Sequence, residues 1–389
     1  MLGFVHGNQL RLLYNGQDYF PALIAAIHTA RHEIFIESYL YELDEIGKEV
    51  AEALIQAAKR HVAVKLHLDG FGARTFPMAW REKLISNGVQ LLFFRPSISP
   101  LTFDRTRLRR LHRKLAVIDG IVGFIGGINI ISDFNTQIPN LPPRYDYAVE
   151  VHGPLVRRMH DAVDRVWRHT AWAQLKKDWL HKSHLRPLGE MAGHVQAKFV
   201  TRDNLRHRRD IEIEYLRAIE SARHEIIIAN AYFLPGLRFR RALMRAAVRG
   251  VRVILILQGK VDHALLHYAS RGFYHQFLNA GMEIHEYPRG FMHAKVAVID
   301  GRWSTIGSSN IDPLSLLLAR EANLFIRDIA FSTTLREDLQ RVLTEDTMEI
   351  KLEDLRHARL IQRLLSWVAF SITRLMMALS GYAGSRYLE

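Results

Sequence analysis

The chain has 389 residues, no cysteine, and 13 more lysines and arginines than aspartates and glutamates. Disulfides, thiolate metal sites and cysteine nucleophiles are therefore excluded. The length fits two domains that each bury a core, and the positive charge favours an anionic partner, whether a nucleic acid, a phosphorylated substrate or an acidic lipid surface.

The N-terminal sequence MLGFVHGNQL has no basic segment followed by an apolar core. It therefore predicts neither a signal peptide nor an N-terminal membrane anchor. We accordingly expect the protein to stay on the cytoplasmic side.

The sequence repeats itself once. ARHEIFIES at 30–38 returns as ARHEIIIAN at 222–230, and in each copy a helical stretch, a second apolar strand and a His-x-Lys segment follow. Short apolar strands that alternate with helices predict an α/β fold. We expect two similar α/β sandwich domains, each a mixed sheet flanked by helices, related by a pseudo two-fold axis with the site at their shared face.

The strand pattern is lost around 170–200, where charge, proline and glycine increase. We predict a first domain over 1–175, a linker over 176–200, a second domain over 201–350 and a C-terminal tail over 351–389.

Within the tail, residues 360–384 are mostly apolar but contain Arg363 and Arg374. Central arginines disfavour a membrane-spanning helix. We interpret the segment as a helix that lies in the membrane interface, with Trp367 and Phe370 on its lipid side. Packing of this helix on the protein's own core is the alternative.

Two copies of one motif carry the chemistry. LHRKLAVIDGIVGFIGGINI and MHAKVAVIDGRWSTIGSSNI share the spacing H-x-K-x4-D-x6-G-[GS]-x-N. One such string could arise by chance, whereas two in register are specific. The positions that they share are His112, Lys114, Asp119 and Asn129 in the first copy, and His293, Lys295, Asp300 and Asn310 in the second.

The spacing predicts a phosphate site. Residues two apart on a strand point to the same face, so each histidine and its lysine converge on one anion. The Asp-Gly pair predicts a hairpin turn that brings small residues back beside the histidine. The amides of Asn129 and Asn310 could then donate to the same phosphate oxygens.

The motif aspartates have a different position. Seven residues along a strand span roughly 23 Å, and the odd spacing directs Asp119 and Asp300 to the opposite face, so we expect them to be structural. The carboxylates that orient the imidazoles must come from elsewhere. Asp146 and Glu321, at similar offsets after their hairpins, are the candidates.

An arginine-rich run, RTRLRRLHRK, leads into the first motif. Beside a phosphate site, we expect its arginines to attract anionic head groups, although a solvated loop would have the same composition. The arginines are Arg105, Arg107, Arg109, Arg110 and Arg113.

The paired motifs are the signature of the phospholipase D superfamily. The segments ANAYFLPG and GSSNIDPLSLLLAREAN, with others over residues 8–350, resemble bacterial cardiolipin synthases, with the closest likeness to the shorter B type. The resemblance groups Asp119 and Asp300 with the catalytic histidines and lysines, in contrast to the strand geometry.

The resemblance implies a ping-pong transfer without a metal or other cofactor. One histidine forms a covalent phosphatidyl-histidine, and the other protonates the departing alcohol and then activates the acceptor. By analogy with the family, His112 is the nucleophile and His293 the acid and base. The implied substrates are two phosphatidylglycerols, which give cardiolipin and glycerol at the surface of a bacterial membrane, where the enzyme is peripheral.

Two other activities fit the same motifs. In a hydrolytic phospholipase D, water resolves the intermediate, and in a superfamily nuclease the basic face binds DNA. The apolar tail and Phe291-Met292 before His293 favour lipid over nucleic acid. The sequence predicts neither the oligomeric state nor the preference among lipids.

Overall fold

The computed structural model describes residues 3–95, 109–136, 138, 140–180, 183, 189–203, 207–260, 264–312, 319–357, 368 and 371. Within these ranges, no helix has both the length and the apolar composition that a membrane crossing requires. The predicted interface helix at 360–384 lies outside the described residues except for Val368 and Ser371.

The first repeat alternates strands and helices and then forms a hairpin. Its elements are β1 (Val5–Tyr14), α1 (Asn15–Thr29), β2 (Glu33–Ser38), α2 (Glu45–Lys59), β3 (Ala63–Asp69), α3 (Met78–Ser86), β4 (Gln90–Phe94), β5 (Arg110–Leu111), β6 (Leu115–Ile118), β7 (Val122–Gly126), β8 (Tyr147–His152) and α4 (Leu155–Ala173).

The second repeat follows the same plan. After a short 3₁₀ turn (Lys177–Trp179), its elements are β9 (Val195–Arg202), α5 (Asp210–Ser221), β10 (Glu225–Asn230), α6 (Leu237–Val248), β11 (Arg252–Gln258), α7 (Ala264–Arg271), α8 (Tyr274–Asn279), β12 (Glu283–Tyr287), β13 (Lys295–Ile299), β14 (Trp303–Gly307), β15 (Ala319–Arg327), α9 (Ile329–Glu345), β16 (Met348–Glu349) and α10 (Leu352–His357).

The strands join into one mixed sheet that crosses both repeats. Its order is β4-β3-β2-β6-β7-β8-β1-β9-β15-β14-β13-β10-β11-β12-β16. The two sides of this order mirror each other about the antiparallel β1–β9 pair, so β2 corresponds to β10, β6 to β13 and β8 to β15. This mirror order confirms the predicted α/β fold with a pseudo two-fold relation between the halves.

Helices cover both faces of the sheet, because its central strands are apolar on both sides. Every residue of β2 is buried, as is typical of a strand between two helical layers. On one face, α4 and α9 pack over a core that includes side chains from both halves, such as Trp167 and Leu335. On the other face, α1 and α2 cover the first half, and α5 and α6 cover the second.

Both motif hairpins turn at their Asp-Gly pair. Asp119 and Gly120 have φ of 51° and 63°, and Asp300 and Gly301 have φ of 52° and 60°. Two consecutive positive φ values define a type I′ turn, for which Asp-Gly is a preferred sequence. Each turn places its histidine at the carboxyl ends of the parallel strands and its aspartate at their amino ends.

Candidate active site

The segment that precedes His112 is bound to the second half of the molecule. β5 pairs in parallel with the beginning of β15, and the backbone N–H of His112 donates to the carbonyl of Arg320 at 3.0 Å. This pairing carries the first histidine across the junction to a strand of the second repeat.

An equivalent contact attaches the segment of the second histidine to the first half. Tyr145, just before β8, forms a parallel bridge with Met292, and the backbone N–H of His293 donates to the carbonyl of Tyr145 at 2.8 Å. Each histidine is therefore attached by its backbone to the opposite half.

The orienting carboxylates are exchanged between the halves in the same way. Nδ1 of His112 lies 2.9 Å from Oε1 of Glu321, and Nδ1 of His293 lies 2.7 Å from Oδ2 of Asp146. A carboxylate at Nδ1 holds the proton there and leaves Nε2 with its lone pair for chemistry. The histidine side chains are 16 % and 26 % exposed, whereas Glu321 and Asp146 are buried.

Two buried lysines supply positive charge to the same site. Nζ of Lys114 donates to the carbonyl of His112 at 2.8 Å, and Nζ of Lys295 donates to the carbonyl of His293. Burial lowers the pKa of Lys114 to about 7, because its effect exceeds the opposing attraction of Glu321, and the nearby Lys295 lowers the pKa further. A substrate phosphate between these ammonium groups would stabilise their charged forms.

The two histidine–carboxylate pairs differ in charge. Burial lowers the pKa of both histidines, and that of His293 falls well below its ordinary value because Lys295 and other cations, Arg144 among them, act in the same direction. Burial raises the pKa of Asp146 to about 6. Burial would also raise the pKa of Glu321, but the charge and hydrogen bond of His112 hold it below its usual value. Glu321 is the more firmly ionised carboxylate.

A cavity of about 400 Å³ opens beside His293. Its lining combines polar and apolar side chains, which suits a ligand with both kinds of surface. It is lined by Leu40, Ile128, Asn129, Ile131, Asp133, Thr136, Ile138, Arg144, Asp146, Tyr232, Phe291, Met292 and His293.

The two motif asparagines occupy different surroundings. Oδ1 of Asn129 accepts from the backbone N–H of Leu40 at 3.1 Å, and Asn129 lines the cavity beside His293. Asn310 lines a separate, smaller cavity with Tyr215 and Phe239. The phosphate-binding role expected for both residues stays a prediction, and of the two only Asn129 lines the cavity beside His293.

The motif aspartates lie away from the histidines, as the strand geometry predicts. Both oxygens of Asp119 accept backbone N–H groups of residues 31–33, each at 2.8 Å. Asp300 accepts the N–H groups of residues 223–225 at 2.8–3.0 Å. Their grouping with the catalytic residues is therefore corrected: these carboxylates connect the hairpin turns to the beginnings of β2 and β10.

The arginine run also requires a correction at one position. Arg113 is buried, and its guanidinium donates to Oε1 of Glu37 at 2.5 Å. It therefore does not face anionic head groups. Arg105 and Arg107 lie outside the described residues.

Two residues that the sequence analysis missed hold the segments before the histidines. Asp69, at the end of β3, accepts the N–H of Leu111 at 2.7 Å. Gln258, at the end of β11, accepts the N–H of Met292 at 3.0 Å. These two residues could have been found from the sequence, because they occupy the same position of the repeat, in LHLDG and LILQG.

The sequence analysis also did not identify the role of the [GS] position of the motif, which affects where each carboxylate lies. The hydroxyl of Ser308 donates to Glu321. At the equivalent Gly127, a Cβ atom would lie 2.3 Å from Oδ1 of Asp146. A glycine is therefore needed beside Asp146, whereas a serine stabilises Glu321. Among the described residues, no group of three His, Asp or Glu side chains is arranged to hold a metal ion.

Comparison with known proteins identifies close relatives. The family model described as "Cardiolipin synthase, PLD-like domain" matches residues 23–167 and 215–343. Cardiolipin synthase B of Salmonella typhi is 38% identical over 98% of this chain and 91% of its own length. Cardiolipin synthase B of Escherichia coli strain K12 is 36% identical over 97% of this chain and 90% of its own length.

A solved structure has the same fold. The crystal structure of phosphatidylserine synthase from Haemophilus influenzae Rd KW20 matches with a TM-score of 0.71 and covers 96% of both chains. The two sequences are 15% identical, so this likeness concerns the fold alone.

Proposed function

The chain belongs to the cardiolipin synthase family with phospholipase D-like domains, and we propose that it is a phosphatidyltransferase that joins two phosphatidylglycerols into cardiolipin and releases glycerol. The observation that carries the mechanism is the exchanged pairing of His112 with Glu321 and of His293 with Asp146. This pairing supports a mechanism in which both imidazole Nε2 atoms and both lysines act on one phosphodiester.

The first step transfers the phosphatidyl group to the enzyme. Nε2 of His112 attacks phosphorus and forms a P–N bond, while the P–O bond to glycerol breaks. The charge of the bound phosphodiester offsets the cations that lower the pKa of His293 and so favours its protonated form. The protonated ring gives its Nε2 proton to the departing oxygen, so glycerol leaves as a neutral alcohol. Lys114 and Lys295 neutralise the charge on the non-bridging oxygens.

The second step reverses these roles. His293, now neutral, accepts the proton of a hydroxyl on the second phosphatidylglycerol. The alcohol oxygen attacks phosphorus, the P–N bond breaks, and His112 returns to its neutral form. The products are cardiolipin and regenerated enzyme with His293 protonated.

Two observations support His112 as the nucleophile. The ionised Glu321 lies against His112, where it would stabilise the positive charge that the ring acquires when Nε2 bonds to phosphorus. The cavity lies beside His293, on the side where the leaving and attacking alcohols must bind in an in-line displacement.

The activity is tested with vesicles of radiolabelled phosphatidylglycerol, by separation of lipids and measurement of released glycerol. We expect cardiolipin and glycerol in equal amounts, and no product from His112→Ala or His293→Ala. His224→Ala, at an exposed histidine of the repeat, is the matched control and should retain activity. Phosphatidic acid without cardiolipin would instead show a hydrolase.

The histidine roles are separated by a donor whose leaving group needs no proton, phosphatidyl-p-nitrophenol. With this donor, His293→Ala should release one equivalent of nitrophenol and accumulate phosphatidyl-enzyme, because attack by His112 still occurs. His112→Ala should release none. The opposite pattern would exchange the two roles.

We also propose that the enzyme works at a membrane surface, on its cytoplasmic face. Phe134 and Ile138, at 67 % and 45 % exposed, present apolar side chains near the cavity. Sedimentation with anionic vesicles should fall for Phe134→Ser with Ile138→Ser. Ile121→Ser is the control, because Ile121 is 66 % exposed at a hairpin turn remote from the histidines. Unchanged sedimentation of the double variant would contradict this orientation.

A further inference from the structure

The two sides of the active site differ at one equivalent position. Gly126 pairs with Ala148 and Gly307 pairs with Asn323, so Arg144 in the first half corresponds to Ala319 in the second. At this equivalent position, the arginine is on the side that includes His293, whereas on the other side a different arginine, Arg202, lies 3.9 Å from the carboxylate of Glu321. The pseudo two-fold relation between the halves therefore does not account for an arginine at position 144.

The surroundings of Arg144 fix its guanidinium at the cavity. One terminal nitrogen donates to the carbonyl of Asn135 at 2.7 Å, and the backbone N–H donates to the carbonyl of Asp133 at 3.1 Å. Arg144 lines the cavity together with His293 and Asp146. The remaining N–H groups of the guanidinium are thus held near the reacting centre without a bidentate carboxylate among the described residues.

Asp133 is not available as a full partner for this cation. Its carboxylate accepts the backbone N–H of Gly16 at 2.6 Å, at the beginning of α1. Burial raises the pKa of Asp133 to about 6, so its carboxylate is still mostly ionised at pH 7, but no oxygen of it lies within ion-pair distance of the Arg144 guanidinium among the described residues. A cation in this setting favours an anion from outside.

The apolar side chains that line the cavity indicate that the anion belongs to a lipid. Ile131, Ile138 and Phe291 line it together with the polar residues, and Ile138 is 45 % exposed. A ligand that fills the cavity must therefore carry both an anionic group and apolar surface. Glycerol and water have neither.

We propose that Arg144 forms a binding site for the phosphate of the acceptor lipid, so that the attacking hydroxyl belongs to an alcohol that carries its own phosphodiester. The inference rests on the proposed function, because it assigns the second substrate of the same reaction. An arginine presents paired N–H groups that match two phosphate oxygens. An acceptor held in this way aims its free hydroxyl at His293 and occupies the space that water would need for hydrolysis.

The test compares two soluble acceptors on the full-length enzyme, with labelled phosphatidylglycerol as donor. Glycerophosphoglycerol carries the phosphodiester, and glycerol does not. The wild type should prefer glycerophosphoglycerol in kcat/KM by about 10- to 100-fold, as expected for a charged hydrogen bond. Arg144→Gln should lower this preference to near one, and Arg144→Lys should keep part of it.

The preference is a ratio measured on the same folded molecules, so a loss of folded enzyme does not change it. Arg302→Ala, at an exposed arginine in the β13–β14 turn, should keep the wild-type ratio. A wild-type ratio near one, or an unchanged ratio in Arg144→Gln, would overturn the inference. Release of phosphatidic acid with no transfer to either alcohol would instead refute the proposed function.

Discussion

Nδ1 of His112 lies 2.9 Å from Oε1 of Glu321, although 209 residues separate them in the sequence. The equivalent pair, His293 and Asp146, is 147 residues apart and 2.7 Å between the two atoms. Each repeat therefore provides one histidine and the carboxylate for the other histidine. Both halves therefore contribute residues to the reaction centre.

The exchanged pairs predict which step each carboxylate supports. With phosphatidyl-p-nitrophenol, Glu321→Gln should slow the nitrophenol burst, because an amide stabilises neither the correct tautomer nor the imidazolium of His112. Asp146→Asn should leave the burst but slow breakdown of the phosphatidyl-enzyme. We expect losses of about 10²- to 10⁴-fold, as for the corresponding carboxylate in a catalytic triad. Equal effects of both variants on both steps would contradict the assignment.

The shifted pKa values predict a narrow pH range for kcat/KM. Below about pH 6, Asp146 becomes protonated and no longer stabilises the imidazolium of His293, and above about pH 7, Lys114 loses its charge. Activity should therefore fall on both sides of a maximum between these values. Lys114→Arg should move the alkaline limb to higher pH, because arginine stays charged. An unmoved limb would assign it to another group.

The motif aspartates should affect stability more than chemistry. Asp119→Ala leaves three backbone N–H groups of residues 31–33 without their acceptor. We expect a loss of about 1–3 kcal/mol in the free energy of unfolding, measured by denaturant titration. The folded fraction should retain most of its kcat. A large fall in kcat at unchanged stability would place Asp119 in the chemistry.

Gly127 should be intolerant of a side chain for a reason specific to the site. The Cβ atom of Gly127→Ala would overlap the carboxylate of Asp146 and displace it from His293. We expect kcat to fall at least about 10-fold through lost orientation of the imidazole. Ser308→Ala at the equivalent position removes a hydroxyl and adds no bulk, so its effect should be confined to the support of Glu321. Wild-type kcat for Gly127→Ala would show that Asp146 can move freely.

The buried ion pair of the first half predicts a non-additive stability effect. Glu37 and Arg113 correspond by their repeat positions to Ala229 and Ala294, so the second half contains no charge there. Arg113→Ala should cost about 3–5 kcal/mol, because Glu37 is left buried and unpaired. Adding Glu37→Ala should recover part of that loss. A double variant less stable than the sum of the single variants would exclude this explanation.

Much of the local structure was readable from sequence, because it depends on short-range geometry. The Asp-Gly pairs predicted the hairpins, and the two-residue spacing placed His112 and Lys114 in one site. The offsets of Asp146 and Glu321 identified the carboxylates. Which histidine each one contacts was not predictable, because the contact depends on pairing of β5 with β15 across the junction. Two-residue strands carry no local signal.

Other parts of the interpretation stay predictions. Asn310 shares its motif position with Asn129, yet only Asn129 lines the cavity beside His293, since repetition in sequence does not ensure identical surroundings. The domain limits at 175 and 201 and the interface helix at 360–384 also remain predictions. Deletion of 360–389 followed by vesicle sedimentation would test the latter.

The exchange of carboxylates across the β1–β9 junction has a consequence for how such a protein can evolve. A duplication in which each copy kept its own histidine and carboxylate together would leave two modules free to separate or to be lost one at a time. In this chain, deleting either copy removes a partner from both histidines, so the pair is inherited as a unit. Substitutions near Glu321 are selected for their effect on His112, and descendants should retain both repeats in a fixed mutual orientation even where their surfaces diverge.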